Sequence, residues 1–236
     1  MLNGGRMKIT VDRIEGEFIV AELPDGSFGN LPCVFAPSAK SGDIIDINGV
    51  KAIVFQVDET GCHGKAMSII GLRGVKDSWC NNRKLAKALP EMTDESNGFA
   101  NTQALLDFAK QNNALSNFPV FEWCTKLGDG WYIPSLKELE EFVNFWLGNE
   151  QTIDWDSEEE AENIIDESKP YYKQINMKMV EAGGIPFLNG VFTSTVTIED
   201  KVYVFWFDRM KHSWSFKKYS KDNLSKYFVG RAFYKF

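Results

Sequence analysis

Over the first 58 residues, short β-branched or aromatic runs alternate with turn signals. Residues 8–13 (KITVDR), 17–23 (EFIVAEL), 28–31, 43–47 (DIIDI) and 51–57 (KAIVFQV) read as strands, separated by Glu15-Gly16, Pro24-Asp25-Gly26 and Ser41-Gly42. Proline fixes φ and glycine accepts φ > 0, so Pro24-Asp25-Gly26 predicts a tight turn. Strands at this spacing predict a small β barrel or a curled sheet.

From about residue 59 the pattern changes to helical stretches between aromatic strands. Residues 101–112 (NTQALLDFAKQN) place Ala104, Leu105, Phe108 and Ala109 on one helical face. Residues 134–147 (PSLKELEEFVNFWL) align Leu136, Leu139, Phe142, Val143 and Trp146, with Lys137, Glu138, Glu140 and Glu141 opposite. Ser135 and Glu138 stand in capping-box spacing at the start of that helix. Residues 156–167 read either as an acidic helix or as a solvated face on an inserted loop. Residues 190–197, 201–208, 214–219 and 227–234 alternate as an antiparallel meander. The chain is therefore expected to be α+β, with a small β domain over 1–58 and a larger domain over 59–236.

At 236 residues, 44% hydrophobic and 25% charged, the composition is that of a globular chain able to build an ordinary core. Its net charge of −7 is unevenly placed. Residues 150–167 carry nine acids and no base, whereas residues 201–236 carry nine bases and two acids. Without 150–167 the chain would be +2, so its acidity does not exclude an anionic ligand. The meander also concentrates the aromatics, with 14 in residues 187–236.

Counting removes several chemistries. Two histidines, His63 and His212, make a multi-histidine metal centre implausible. There is no Walker loop and no GxGxxG after a strand, hence no support for nucleotide chemistry. Cys33, Cys62, Cys80 and Cys124 form no CxxC pair; they read as buried thiols, or as one disulfide in an oxidising compartment. No 18-residue apolar run suits a membrane span and no signal-peptide pattern opens the chain. As written it is expected to be cytoplasmic, and cell-surface or secreted if trimmed from a longer one.

Residues 7–50, with Val11-Asp12-Arg13-Ile14-Glu15-Gly16 and Lys40-Ser41-Gly42-Asp43, resemble a small bacterial β-domain family of uncharacterised function. Further on, five segments recur in order in one bacterial group. They are residues 94–102 (DESNGFANT), 121–124 (FEWC), 130–139 (GWYIPSLKEL), 192–195 (FTST) and 229–233 (VGRAF). They resemble the Lcl C-terminal-like domains, a family that includes the C-terminal domain of a collagen-like adhesin and is similar to the C-type-lectin and sulfatase-modifying-factor folds. The resemblance covers about residues 62–236 and implies a C-type-lectin-like domain. Members usually carry Trp-Ser-Ser-Thr where Phe192-Thr193-Ser194-Thr195 stands, and a shorter connection in place of residues 148–186. Sulfatase-modifying factors use a cysteine pair for copper-dependent chemistry, and the four cysteines here match no such pair. The chain is accordingly read as a non-enzyme without metal or cofactor.

Most motif residues have structural readings. Trp123, Trp131 and Tyr132 are expected as core anchors. Arg231, within an apolar strand, is expected to pair with a buried carboxylate. Asp94, Asn97 and Asn101 are expected to build an Asx-turn and a helix cap. Binding chemistry is left to the hairpin tip over 206–214 (WFDRMKHSW), where Trp206, Asp208, Arg209, His212 and Trp214 are the candidate ligand-binding residues, aromatic faces beside charged donors. The expected ligand is a glycan or a protein surface, with anionic ligands favoured and nucleic acid not supported. The alternative is a structural or assembly protein, homo-oligomers included, whose acidic 150–167 segment docks on the basic meander.

Overall fold

The computed structural model describes residues 10–15, 18–22, 27–32, 39–72, 79–148, 163–164, 171–187, 190–197, 199, 201–208, 213–220 and 228–236. The chain is α+β. β1 (Thr10–Glu15), β2 (Phe18–Glu22) and β3 (Phe28–Pro32) form a three-stranded antiparallel sheet of their own. β4 (Ile44–Ile47) and β5 (Val50–Val57) follow as a hairpin. Its two-residue turn holds Asn48 and Gly49 at φ 54° and 88°, the left-handed pair that matches strand twist.

Next come β6 (Gly64–Ser68), α1 (Arg83–Lys87), α2 (Gly98–Gln111), α3 (Pro119–Thr125), β7 (Trp131–Tyr132) and α4 (Leu136–Leu147). β8 (Asn163–Ile164) and α5 (Tyr171–Glu181) precede β9 (Gly190–Val196), β10 (Lys201–Asp208) and β11 (Ser213–Ser220). β12 (Phe228–Val229) and β13 (Phe233–Lys235) complete the order. One five-stranded sheet runs β4-β5-β6-β13-β7, the other β12-β9-β10-β11-β8.

The domain division after residue 58 falls between β5 and β6, which pair antiparallel from Ala52↔Ser68 to Val57↔Gly64. Residues 44–57 lie in the sheet β4-β5-β6-β13-β7, and β1 to β3 form a separate antiparallel sheet. The last apolar run, 227–234, is broken: β12 pairs with β9, while β13 lies between β6 and β7 in the other sheet.

The core explains why 51–57 and 201–208 read as nearly continuous apolar runs. Successive strand residues point to opposite faces. Ala52 and Val54 join one buried cluster and Ile53 and Phe55 the other; Val202 and Val204 likewise oppose Phe205 and Phe207. Over these stretches both strands are covered on both faces, which removes the polar alternation of a half-solvated strand.

α4 shows how local signals meet this core. Ser135 and Glu138 form a capping box, and Gly148 ends the helix at φ 90°. Its apolar side buries Leu139, Phe142, Val143 and Trp146. The Trp146 ring lies within 5.3–6.2 Å of Tyr172, Phe187, Phe205 and Phe207, so α4 clamps α5 against the meander.

Candidate functional site

Three motif segments distant in sequence converge on one buried polar hub. The backbone carbonyl of Asp94 accepts from Asn101 Nδ2 at 2.7 Å and from Thr195 Oγ1 at 3.2 Å. Thr195 Oγ1 in turn accepts from the Leu136 amide at 3.0 Å. Ser194 donates its amide to the Pro134 carbonyl at 2.7 Å, and the Ile133 amide donates to Thr102 Oγ1 at 3.0 Å. The expected Asx-turn and cap are present: Asp94 Oδ1 accepts from Ser96, and Asn97 Oδ1 accepts from the Ala100 amide.

Glu138 is the centre of the hub and is 1% exposed. Oε2 accepts from the Gly98 amide at 2.9 Å and from the amide and hydroxyl of Ser135 at 3.0 Å; Oε1 accepts from the Tyr132 hydroxyl at 2.9 Å. One carboxylate thus serves the N-terminal ends of α2 and α4, where unsatisfied amides and both helix dipoles favour negative charge. Gly98 is required by this approach, since a Cβ there would stand 2.6 Å from Glu138 Oε2 and 2.4 Å from the Ser135 nitrogen. Burial, followed by Glu138 and Glu141, pushes the Tyr132 phenol far above its ordinary range. The hub fastens the fold and is closed to a ligand.

Arg231 is a second internal fastening, 1% exposed. Nη1 donates to the carbonyls of Ser68, Ile69 and Ile70 at 3.1, 2.8 and 3.3 Å, and Nη2 to those of Ile185 and Pro186 at 2.9 and 3.0 Å. All five of these partners are backbone carbonyl oxygens. The fork geometry of guanidinium lets one side chain satisfy two loops at once.

Of the predicted hairpin tip, residues 206–208 and 213–214 are among the described ones. Trp206 pairs with Ser215 and Trp214 with Phe207, positions of opposite parity along β10, so the two tryptophans lie on opposite faces of the sheet. Trp214 is 1% exposed, within 6.0 Å of the Phe205 ring, and cannot offer a face to a ligand. Trp206 is half-buried, edge-on to Phe228 at 5.9 Å. Asp208 closes β10 opposite Ser213, while Arg209 and His212 lie outside the described residues.

Of the acidic stretch, read as a helix or as a solvated loop face, residues 163–164 form a strand, pairing Asn163↔Trp214 and Ile164↔Ser213; its other residues lie outside the described ones. Trp131 and Tyr132 are buried anchors, as expected, and Trp123 is half-buried.

Sequence reasoning missed a cluster at the other end of the meander. Tyr203, half-buried, carries the Lys218 ammonium 5.5 Å from its ring centroid, a cation–π contact worth about 0.5–1 kcal/mol when exposed. Burial, then Glu95 and Glu199, raises the Tyr203 phenol above its ordinary range. Lys201 Nζ lies 2.8 Å from Glu199 Oε2, and that hydrogen bond, with Lys201 and Lys218 charge, lowers the Glu199 carboxyl. Lys137 Nζ stands 3.9 Å from Glu95 Oε2. The half-exposed Tyr203 ring thus lies beneath the Lys218 ammonium, with the charges of Glu95 and Glu199 near enough to bear on its hydroxyl. The alternation in KVYVFWFD put Tyr203 on a face, but its pairing opposite Lys218 and the charge of Glu95, distant in sequence, are set by the fold.

Among the described residues, no group of three or more His, Cys, Asp or Glu side chains could hold a metal ion, and no helix is long and apolar enough to cross a membrane. Burial pushes the Cys124 thiol far up, as for an inert core cysteine.

No protein-family model matches the chain, and no curated protein matches it significantly. Among solved structures, the chain is similar to a fimbrial protein from Bacteroides ovatus, with 16% identity and a TM-score of 0.43. The match covers 73% of this chain and 36% of the fimbrial protein, and at that TM-score it assigns neither fold nor role.

Proposed function

We propose that the protein is a non-catalytic binding module that takes a glycan at the Tyr203–Lys218 end of the C-terminal meander. The supporting observation is the half-exposed Tyr203 ring with Lys218 above it and Glu95 and Glu199 close enough to bear on its proton. Sugar rings stack their C–H faces on aromatic faces, and their hydroxyls need donors and acceptors at the rim. Lys218 is exposed, so it can leave the ring for a hydroxyl or an anionic substituent. The C-type-lectin-like resemblance agrees with such a role.

A glycan array at low and raised salt tests this. Tyr203→Ala is expected to weaken binding roughly ten-fold, the factor that about 1.4 kcal/mol of lost aromatic contact produces. Lys218→Ala should weaken it less, and most for anionic glycans at low salt. Trp206→Ala and Arg209→Ala should bind as the parent does. Equal binding by all four variants, or losses confined to Trp206 and Arg209, would discard the Tyr203 site.

A second reading, assembly through the acidic segment, is favoured by β8, whose two residues add to the meander edge at β11. If the same pairing joins two chains, sedimentation at low salt shows a dimer that dissociates as salt rises. A monomer at every ionic strength rejects it.

A further inference from the structure

We infer that Met177 is an oxidant-sensitive thioether whose sulfoxide converts an apolar surface depression into a polar one. The depression, about 350 Å³, is lined by Asn176, Met177, Val180, Glu181 and Pro186. Met177 and Val180, three residues apart on the outward side of α5, are 60% and 51% exposed. Met179 on the same helix is 0% exposed, as is Met67 in β6, and Met92 is 1% exposed. Two residues along a helix turn the side chain by about 200°, so Met177 and Met179 share a backbone and differ in access to solvent.

The co-reactant is hydrogen peroxide. The thioether sulfur attacks one peroxide oxygen, an S–O bond forms and the O–O bond breaks. The departing hydroxide takes up the remaining proton as water. Sulfur loses two electrons and the peroxide gains them. The product places a strongly accepting oxygen beside Val180 and Pro186, and reductases of methionine sulfoxide reverse it. Because Met177 faces outward, oxidation leaves the core side of α5, Ile175 and Met179, undisturbed.

The experiment treats the native full chain with dilute hydrogen peroxide and follows oxygen incorporation by peptide mass mapping. Met177 is expected to gain oxygen at least about ten-fold faster than Met67, Met92 and Met179, with the four rates converging in denaturant. The oxidised protein should leave a hydrophobic-interaction column earlier, and a Met177→Leu variant should lose that peroxide-dependent shift. Oxidation of Met179 in step with Met177 in the native protein overturns the assignment. A column shift that persists in Met177→Leu overturns the polarity change.

Discussion

Replacing Glu138 tests the claim that one carboxylate holds two helices. Glu138→Ala leaves the Gly98 and Ser135 amides and the Tyr132 hydroxyl buried without their acceptor. Each such orphan costs about 1–3 kcal/mol, and water entering the vacated space recovers part of that. The expected net loss is about 4 kcal/mol, within the roughly 3–5 kcal/mol typical of removing a buried charged partner. Against a total stability of about 5–15 kcal/mol this is severe. Glu138→Gln behaves differently. Its carbonyl can take the place of Oε2, which accepts from Gly98 and Ser135, while its amide nitrogen faces the Tyr132 hydroxyl, which can turn to accept. What remains is loss of charge at two helix N-termini, about 0.3–1 kcal/mol each, and of the 3.9 Å ion pair with the half-exposed Lys235, for a total of about 1–2 kcal/mol. Urea titration followed by circular dichroism reads both. With a slope of about 2–3 kcal/mol/M, the midpoint should fall by about 1.5–2 M for alanine and about 0.5 M for glutamine. Equal shifts for the two variants, or an alanine cost below about 1 kcal/mol, would refute the two-helix role.

Two further outcomes follow from the same interior. The Tyr132 phenol keeps its proton in the fold at a pH where the unfolded chain has lost it. Its contribution is therefore whole below the unfolded value of about 10 and declines as pH rises beyond it. Tyr132→Phe should flatten the alkaline fall in thermal midpoint, and an unchanged slope would show that Tyr132 is not its source. Arg231→Lys replaces a fork reaching five carbonyls by a single ammonium with three donors, so a loss of about 2–3 kcal/mol is expected in the same urea assay. A loss under about 0.5 kcal/mol would mean the carbonyls are satisfied without it.

What the sequence made legible is what short-range chemistry determines. The capping box of α4 stands at Ser135 and Glu138 as their spacing requires, and the strands of β1 to β5 fall within two or three residues of their apolar runs. Local pattern could not place β4 and β5 in the sheet of β6 and β13, because that partnership is set by contacts across the whole fold. At the tip, alternation suggested that some aromatics of 206–214 are exposed; the structure leaves Trp206 half-buried and Trp214 1% exposed. α5 went unread because Met177 and Val180, exposed apolar residues, blur its amphipathic stripe. The Tyr203 cluster draws on residues 95, 199, 201, 203 and 218, a set no single window contains.

The position of β13 between β6 and β7 makes completion of that sheet wait on synthesis. Ala232 donates to Ser68 Oγ, a partner 164 positions earlier. A ribosome adding about 5–20 residues per second delivers the second about 8–33 s after the first. For that interval β6 is a bare strand edge on the nascent chain, carrying the apolar Ala66 and Met67 that the finished fold buries completely. Chaperone capture, and pairing with neighbouring nascent chains on the same message, compete with folding during this window.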